Sequence, residues 1–329
     1  MNRTARLVCL LLAAVVVLSL PLLVPSGALL DEERNRLLEE MPDESGWLTR
    51  LFPAAMAETP ALAPLPLDFS PGRVADAQAF TESGYTDDSI TLTLETIDRD
   101  NVVWRVARVT VSDPSQLRTA TAGKPGSNKL ALISSMAQKN NAIIAINANY
   151  LSNDPVKTSF EYRMGEKIRA KYNSKKDLLI TDELGDLHVF VKSQKEEVEA
   201  FEASGRTIIN AFTFGPALVK DGQVLTIDAE YGYNPNGREP RMAIGQTGKL
   251  SYVLVLAEGR TKDSQGVTHQ ELADFMLSLG CTQAFNFDGG NSATMVYNGG
   301  YYQQKSRNNE RAQSDMLYFA TLAGPEGTP

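Results

Sequence analysis

The stretch that most restricts what this chain can become is Ala284-Phe285-Asn286-Phe287-Asp288-Gly289-Gly290-Asn291-Ser292-Ala293-Thr294-Met295, where an apolar run stops at a carboxylate, two glycines and small polar residues. It reads as strand, loop, strand. Asp-Gly between apolar runs is also a hairpin signal, because glycine accepts positive φ and aspartate tolerates tight turns. A two-residue hairpin needs one glycine, whereas this loop has a second, followed by Asn291, Ser292 and Thr294 in place of an apolar face. Paired glycines let a ligand approach the backbone closely. On these residues alone, a plain turn and a site loop both stand.

The rest of the chain supplies strands to flank that loop. Tyr85 to Thr96 and Val102 to Val111 are rich in β-branched and aromatic residues and read as an antiparallel pair. Leu130 to Gln138 places Leu130, Ile133, Met136 and Ala137 on one helical face, with Ser127-Asn128 as capping candidates. Ala142 to Ile146 is then a short buried strand that delivers Asn147, Asn149 and Tyr150 at its end. Phe212 to Val219 and Gln223 to Ile227 flank an Asp221-Gly222 turn, and the loop Tyr231 to Pro240 reads as a rim or an ordinary surface excursion. Thr268 to Leu279 is the clearest helix, because Thr268 and Glu271 have capping-box spacing, which gives Glu271 a structural task. The charged runs at Lys175-Lys176 and Lys195-Glu196-Glu197 read as solvated faces. Strands and helices do not alternate as a doubly wound fold requires. The expected fold is therefore α+β, a strand-rich mixed sheet with two main helices.

The N-terminus reads differently. Arg3 and Arg6 precede the apolar run Leu7 to Val24, and Pro25-Ser26-Gly27-Ala28 follows, the layout of an export signal. The run has 18 residues, close to the minimum for a membrane span, so a signal peptide and a membrane anchor over residues 1–28 are both expected readings. Residues 29–67 form a Pro-rich tether, with five prolines from Pro53 to Pro71 straddling its end. Residues 68–329 are one domain of ordinary size. The expected location is extracellular, or on the outer face of the cytoplasmic membrane. Loss of residues 1–28, which hold two arginines and no acid, would take the formal charge from −8 to −10. That argues against nucleic acid as a partner. Cys9 lies in the apolar run, leaving Cys281 alone in the exported part, where it reads as a small buried residue.

Chemistry is carried by carboxylates, arginines and amides. His188 and His269 are the only histidines and sit in no ligand cluster, and no Walker loop or nucleophile elbow is present. No cofactor is required on this reading, and a divalent cation, though conceivable in an acid-rich pocket, has no ligand spacing to support it. His269, expected to be exposed in the first turn of its helix, is a weak site candidate.

In chain order come Asn147-Ala148-Asn149-Tyr150, Phe214-Gly215-Pro216-Ala217-Leu218-Val219-Lys220-Asp221-Gly222, Pro240-Arg241-Met242-Ala243-Ile244-Gly245, Glu258-Gly259-Arg260, Gly266-Val267-Thr268-His269-Gln270-Glu271, the Asp288 loop and Glu310-Arg311. In this ordered set the chain resembles the phosphodiester glycosidase family over roughly residues 140 to 320. The resemblance implies hydrolysis of a sugar phosphodiester, or of a phosphorylated envelope polysaccharide, at the glycosidic C–O bond. Carried onto this chain, it implies Asp288 as the reacting carboxylate and Glu258 as a second acid. Arg241 and Arg260 become a phosphate clamp, with Asn147, Asn149, Asn286, Gly289, Gly290, Ser292 and Arg311 lining the substrate. Such a set suits the chemistry: arginine's planar guanidinium binds phosphate oxygens bidentately, and a carboxylate stabilises an oxocarbenium-like state. Glu310 is expected to pair with Arg311. Glu258 stands where the family has Asp, Asn291 where a third glycine is common, Met242 where Thr often follows Pro-Arg, and Leu151 where Phe is common. Glu258 and Asn291 both alter pocket shape. Two other readings of the same residues are a non-catalytic binder of phosphorylated glycans and a phosphodiesterase that breaks the P–O bond.

Overall fold

The computed structural model describes residues 62–149, 159–193, 195–305 and 310–325. The apolar run at residues 7–24, the tether up to residue 61, and Tyr150 and Leu151 lie outside them. Among the described residues no helix is long and apolar enough to cross a membrane.

The strand-rich α+β expectation holds, with the strands divided among three sheets whose pairings are antiparallel. The largest has nine strands. At its centre Val102–Val111, Ser251–Ala257, Arg241–Gly248 and Gln283–Phe287 lie side by side. A second sheet of five is built on Asp177–Asp182 and Ile208–Phe214, and a third of five on Ile144–Asn147 and Asp315–Phe319. All three sheets turn one face to a shared core containing Leu92, Ile144, Ile146, Leu179, Phe212, Ile244, Leu254, Phe285, Phe287 and Leu317.

Each sheet covers its other face with its own helix. Helix α1 (Ile133–Lys139) packs Ile133, Met136 and Ala137 against Ala145, Met316 and Tyr318 of the third sheet. Helix α2 (Lys195–Ala203) seats Val198 against Leu178 and Ile180 of the second. Helix α3 (His269–Ser278) lays Leu272, Ala273, Phe275 and Met276 on the first, where Phe275 stacks on Trp104 at 3.8 Å between ring centres. Burying such an aromatic contributes about 1.5–3 kcal/mol. The α3 capping box is present in both directions, between Thr268 and Glu271. Cys281 is buried against this cluster, and burial pushes its thiol up to about 12.

Several boundaries differ from the sequence reading for local reasons. Asp87 Oδ1 accepts from the Ser89 and Ile90 amides and breaks the run 85–96 into Gly84–Thr86 and Ile90–Arg99. The run Phe212 to Val219 leaves the second sheet at Phe214 and enters the first at Ala217, across a cis Gly215–Pro216 bond; Pro216 has no N–H for a ladder. Helix α1 begins later than expected and is not capped by Ser127 or Asn128; the Glu310 carboxylate accepts from the Ser134 amide and hydroxyl instead. The charged run at 195–197 opens α2, a third helix, because one apolar residue per turn suffices to dock it on the second sheet. Of the stretch read as tether, residues 62–67 run against the domain: Leu65 is buried, and Arg118 donates to the Pro66 carbonyl.

Candidate functional site

The strand Gln283–Phe287 pairs with Arg241–Gly248 in the register Met242 opposite Phe287, so Asp288 leaves the sheet beside Pro240 and Arg241. Both glycines are required there. A Cβ on Gly289 would lie 2.5 Å from the Pro240 carbonyl oxygen, and Gly290, at φ +58°, donates its amide to that same oxygen at 2.8 Å. From the third sheet Asn147, fully buried, closes the loop: its Nδ2 donates to the Asp288 carbonyl at 2.7 Å and its Oδ1 accepts from the Thr294 amide at 2.9 Å. Asn147 thus fixes the backbone of the loop with both ends of its amide and is not among the residues that line the cleft below.

The loop forms one wall of a cleft of about 280 Å3, which Asp288, Asn286, Arg241, Arg260, Arg311 and Glu239 line. Asp288 is half-buried, and its Oδ2 has no hydrogen-bond partner. Burial raises its carboxyl above the ordinary aspartate value, while Ser292 and the Arg311 charge pull the other way. Arg311 NH1 also reaches Ser292 Oγ at 3.4 Å. Asn286 lines the cleft with its Nδ2 given to the Gly215 carbonyl at 2.9 Å and its Oδ1 unpartnered.

The remaining expected residues fall elsewhere or work differently. Arg241 is buried and spends its guanidinium on carbonyls: Val267 and Tyr233 at 3.2 Å, Asn234 at 2.7 Å and Gly237 at 3.0 Å. It is therefore a staple for the 233–237 rim, not an open clamp. Burial lowers it to about 10, which leaves it cationic beneath the cleft at neutral pH. Arg260 is open to the cleft and pairs with Glu239. Glu258 is not in this cleft. It is buried on the opposite side of the loop, accepting from Arg105 Nε at 2.7 Å and from the Gln304 amide at 2.9 Å. Asn149 lines a different cavity, where its amide meets Glu161. Glu310 pairs with Ser134 and Tyr301 instead of Arg311. His269, expected to be exposed, is buried, and burial together with the Arg241 charge pushes it down to about 3, so it is neutral. Among the described residues, no three His, Cys, Asp or Glu side chains converge as a metal site would require.

The sequence reading missed Glu239, Tyr233 and Phe214. Glu239 precedes Pro240-Arg241 directly, and adjacency to that motif was the available signal. Tyr233 stacks on Phe214 with ring centres 4.7 Å apart, and Lys176 Nζ lies 3.7 Å from the Tyr233 ring centre. The 231–240 rim is held by Tyr231 as well, whose hydroxyl donates to the Phe214 carbonyl at 2.6 Å.

A sequence profile described as phosphodiester glycosidase matches residues 140–320. The chain belongs to the phosphodiester glycosidase family. The SPbeta prophage-derived uncharacterized protein YomE of Bacillus subtilis (strain 168) is 29% identical over 205 residues, 61% of this chain and 31% of YomE. Human N-acetylglucosamine-1-phosphodiester alpha-N-acetylglucosaminidase is 44% identical over 59 residues, 18% of this chain and 11% of the human protein. The chain thus spans about a third, or less, of the length of these relatives. Among solved structures, the zebrafish enzyme's catalytic domain, auto-inhibited by its pro-peptide, shares the fold at TM-score 0.58 and 19% identity, over 73% of this chain and 86% of that one. A hypothetical protein from Synechocystis does so at TM-score 0.50 and 14% identity, over 70% and 62%.

Proposed function

We propose that this protein is an exported hydrolase that releases a sugar from a sugar phosphodiester of envelope or extracellular glycans by breaking the glycosidic C–O bond. The observation that carries the reading is the half-buried Asp288, one oxygen unpartnered, lining a single cleft together with Arg311 and Arg260. The phosphodiester rests its anionic oxygens on Arg260 and Arg311, which places the anomeric carbon over Asp288. As the C–O bond breaks, the bonding electrons go to the phosphate oxygen, and the Asp288 carboxylate stabilises the positive charge that develops on the sugar. The leaving phosphate monoester is a weak base, so the arginines meet its need for charge stabilisation. Water then adds its hydroxyl to the anomeric carbon, and Glu239, held by Arg260, is the acid of this cleft placed to receive its proton. Glu239 takes the part the sequence reading gave to Glu258.

The test is hydrolysis of N-acetylglucosamine linked through phosphate to a simple alcohol, run in oxygen-labelled water with residues 62–329. Label in the free sugar is expected. Label in the phosphate would replace this reading with P–O cleavage, and binding without release, here and across other sugar phosphodiesters, would leave a glycan binder.

A further inference from the structure

A second polar cavity, of about 60 Å3, opens where the strands Phe160–Arg163 and Glu166–Ala170 of the second sheet approach the third. Asn149 lines it and is more than nine-tenths buried. Its Nδ2 is committed to Glu161, an acceptor, which fixes the orientation of the amide and leaves Oδ1 without a donor. A buried acceptor left unmade is costly, so a site that retains one commonly receives a donor from outside.

The charges around it are unevenly spent. Arg163 spends four of its five N–H groups on Asp315 and on the Tyr162 and Ala211 carbonyls. Arg169 gives NH1 to Glu161 at 2.8 Å and to Ser159 Oγ at 3.4 Å, which leaves its Nε and NH2 groups, and Lys124 is exposed. Three cations and two carboxylates line the cavity, an excess of one positive charge.

Two chain segments link the cavity to the Asp288 loop and its cleft. Asn147, the last residue of its strand, holds the Asp288 carbonyl, and Asn149 follows two residues later. In the segment that carries Arg311 into the cleft, Ser314 and Asp315 reach the cavity.

We propose that this cavity is an accessory subsite for a hydroxylated sugar unit bearing one negative charge, with Asn149 Oδ1 accepting a hydroxyl and Lys124 and Arg169 binding a phosphate or carboxylate. It rests on the proposed function only in taking the ligand to be a glycan. A polymer with repeated acidic sugars would then engage the cleft and the subsite together.

The experiment titrates folded Asp288→Asn protein with mannose 6-phosphate, glucuronate and mannose, reading the Asn149 side-chain amide and the Gly289 and Gly290 amides separately by NMR. The acidic sugars are expected to shift Asn149, with mannose at least about tenfold weaker, the worth of one charge-assisted bond. Lys124→Gln, at an exposed position, and Arg169→Gln should each weaken that response several-fold, while Arg311→Gln should leave it unchanged. Tighter binding of mannose 6-phosphate or of glucuronate assigns the anion. Shifts confined to Gly289 and Gly290, or a response lost with Arg311→Gln and not with Lys124→Gln, would place the ligand in the cleft alone and overturn the subsite. So would no response to any sugar, with water as the only occupant. Sugar release is not read, so the outcome is independent of whether phosphodiester hydrolysis is the reaction.

Discussion

The two sides of the Asp288 loop make the most instructive contrast in the molecule. Both present an acid followed by glycine, Glu258-Gly259 and Asp288-Gly289, at the end of a strand of the same sheet. On the Glu258 side the cavity is about 10 Å3, the carboxylate is matched by Arg105 and the Gln304 amide, and Lys305 Nζ donates to the Ala293 carbonyl at 2.8 Å. On the Asp288 side the volume is about 280 Å3, one carboxylate oxygen has no partner and Arg241 has carbonyls in place of a carboxylate. Identical motif grammar thus yields a brace on one side and an open cleft with an unmatched acid on the other. The difference is whether the surrounding strands satisfy the acid.

That contrast can be broken or sharpened by substitution. Glu239→Gln removes the second acid of the cleft and should lower kcat by about 10², measured as sugar released per folded molecule; a rate within about threefold of the parent would remove Glu239 from the chemistry. Arg311→Met should cost about tenfold or more in kcat/KM and shift its acid limb. The direction follows from the charges: Arg311 lowers the Asp288 carboxyl against the larger upward effect of burial, so without it the carboxylate forms only at higher pH and the limb moves up. A limb that stays in place or moves down would dissociate Arg311 from Asp288.

A smaller effect concerns stability. Asp288 has a raised carboxyl in the folded state, so its ionisation costs stability as pH rises from the ordinary carboxylate value, about 3.9, through the raised one. Asp288→Asn should therefore melt at or above the parent temperature at neutral pH, and lose that advantage as pH falls below the window. A variant less stable than the parent at neutral pH would mean that Asp288 is structural.

Much of this was legible in the sequence because local rules sufficed. The Thr268 and Glu271 spacing specified the start of a helix, and the β-branched runs specified Val102–Val111 and its partner, whose register runs unbroken from Ile90 opposite Val111 to Arg99 opposite Val102. Asp288, Gly289 and Gly290 were found for the same reason: their chemistry is written in consecutive residues. Side-chain direction was not legible, since it is set by strands distant in sequence. Nothing near Asn147 says that its amide closes a loop 141 residues away, and nothing near Arg241 says that four carbonyls will accept from its guanidinium. His269 looked exposed because it opens a helix; burial comes from the 231–240 rim, whose Pro235 carbonyl accepts its backbone amide.

The most direct measurement compares Asp288→Asn with Glu258→Gln on one N-acetylglucosamine phosphodiester, reading initial rate per folded molecule beside a denaturation midpoint. Asp288→Asn should lose about 10³-fold or more in rate while its midpoint holds. Glu258→Gln should keep its rate within about tenfold and lose about 1–3 kcal/mol of stability, from a buried acid that no longer matches Arg105. The reverse pattern, a stable but inactive Glu258→Gln and an active Asp288→Asn, would contradict the assignment of the cleft.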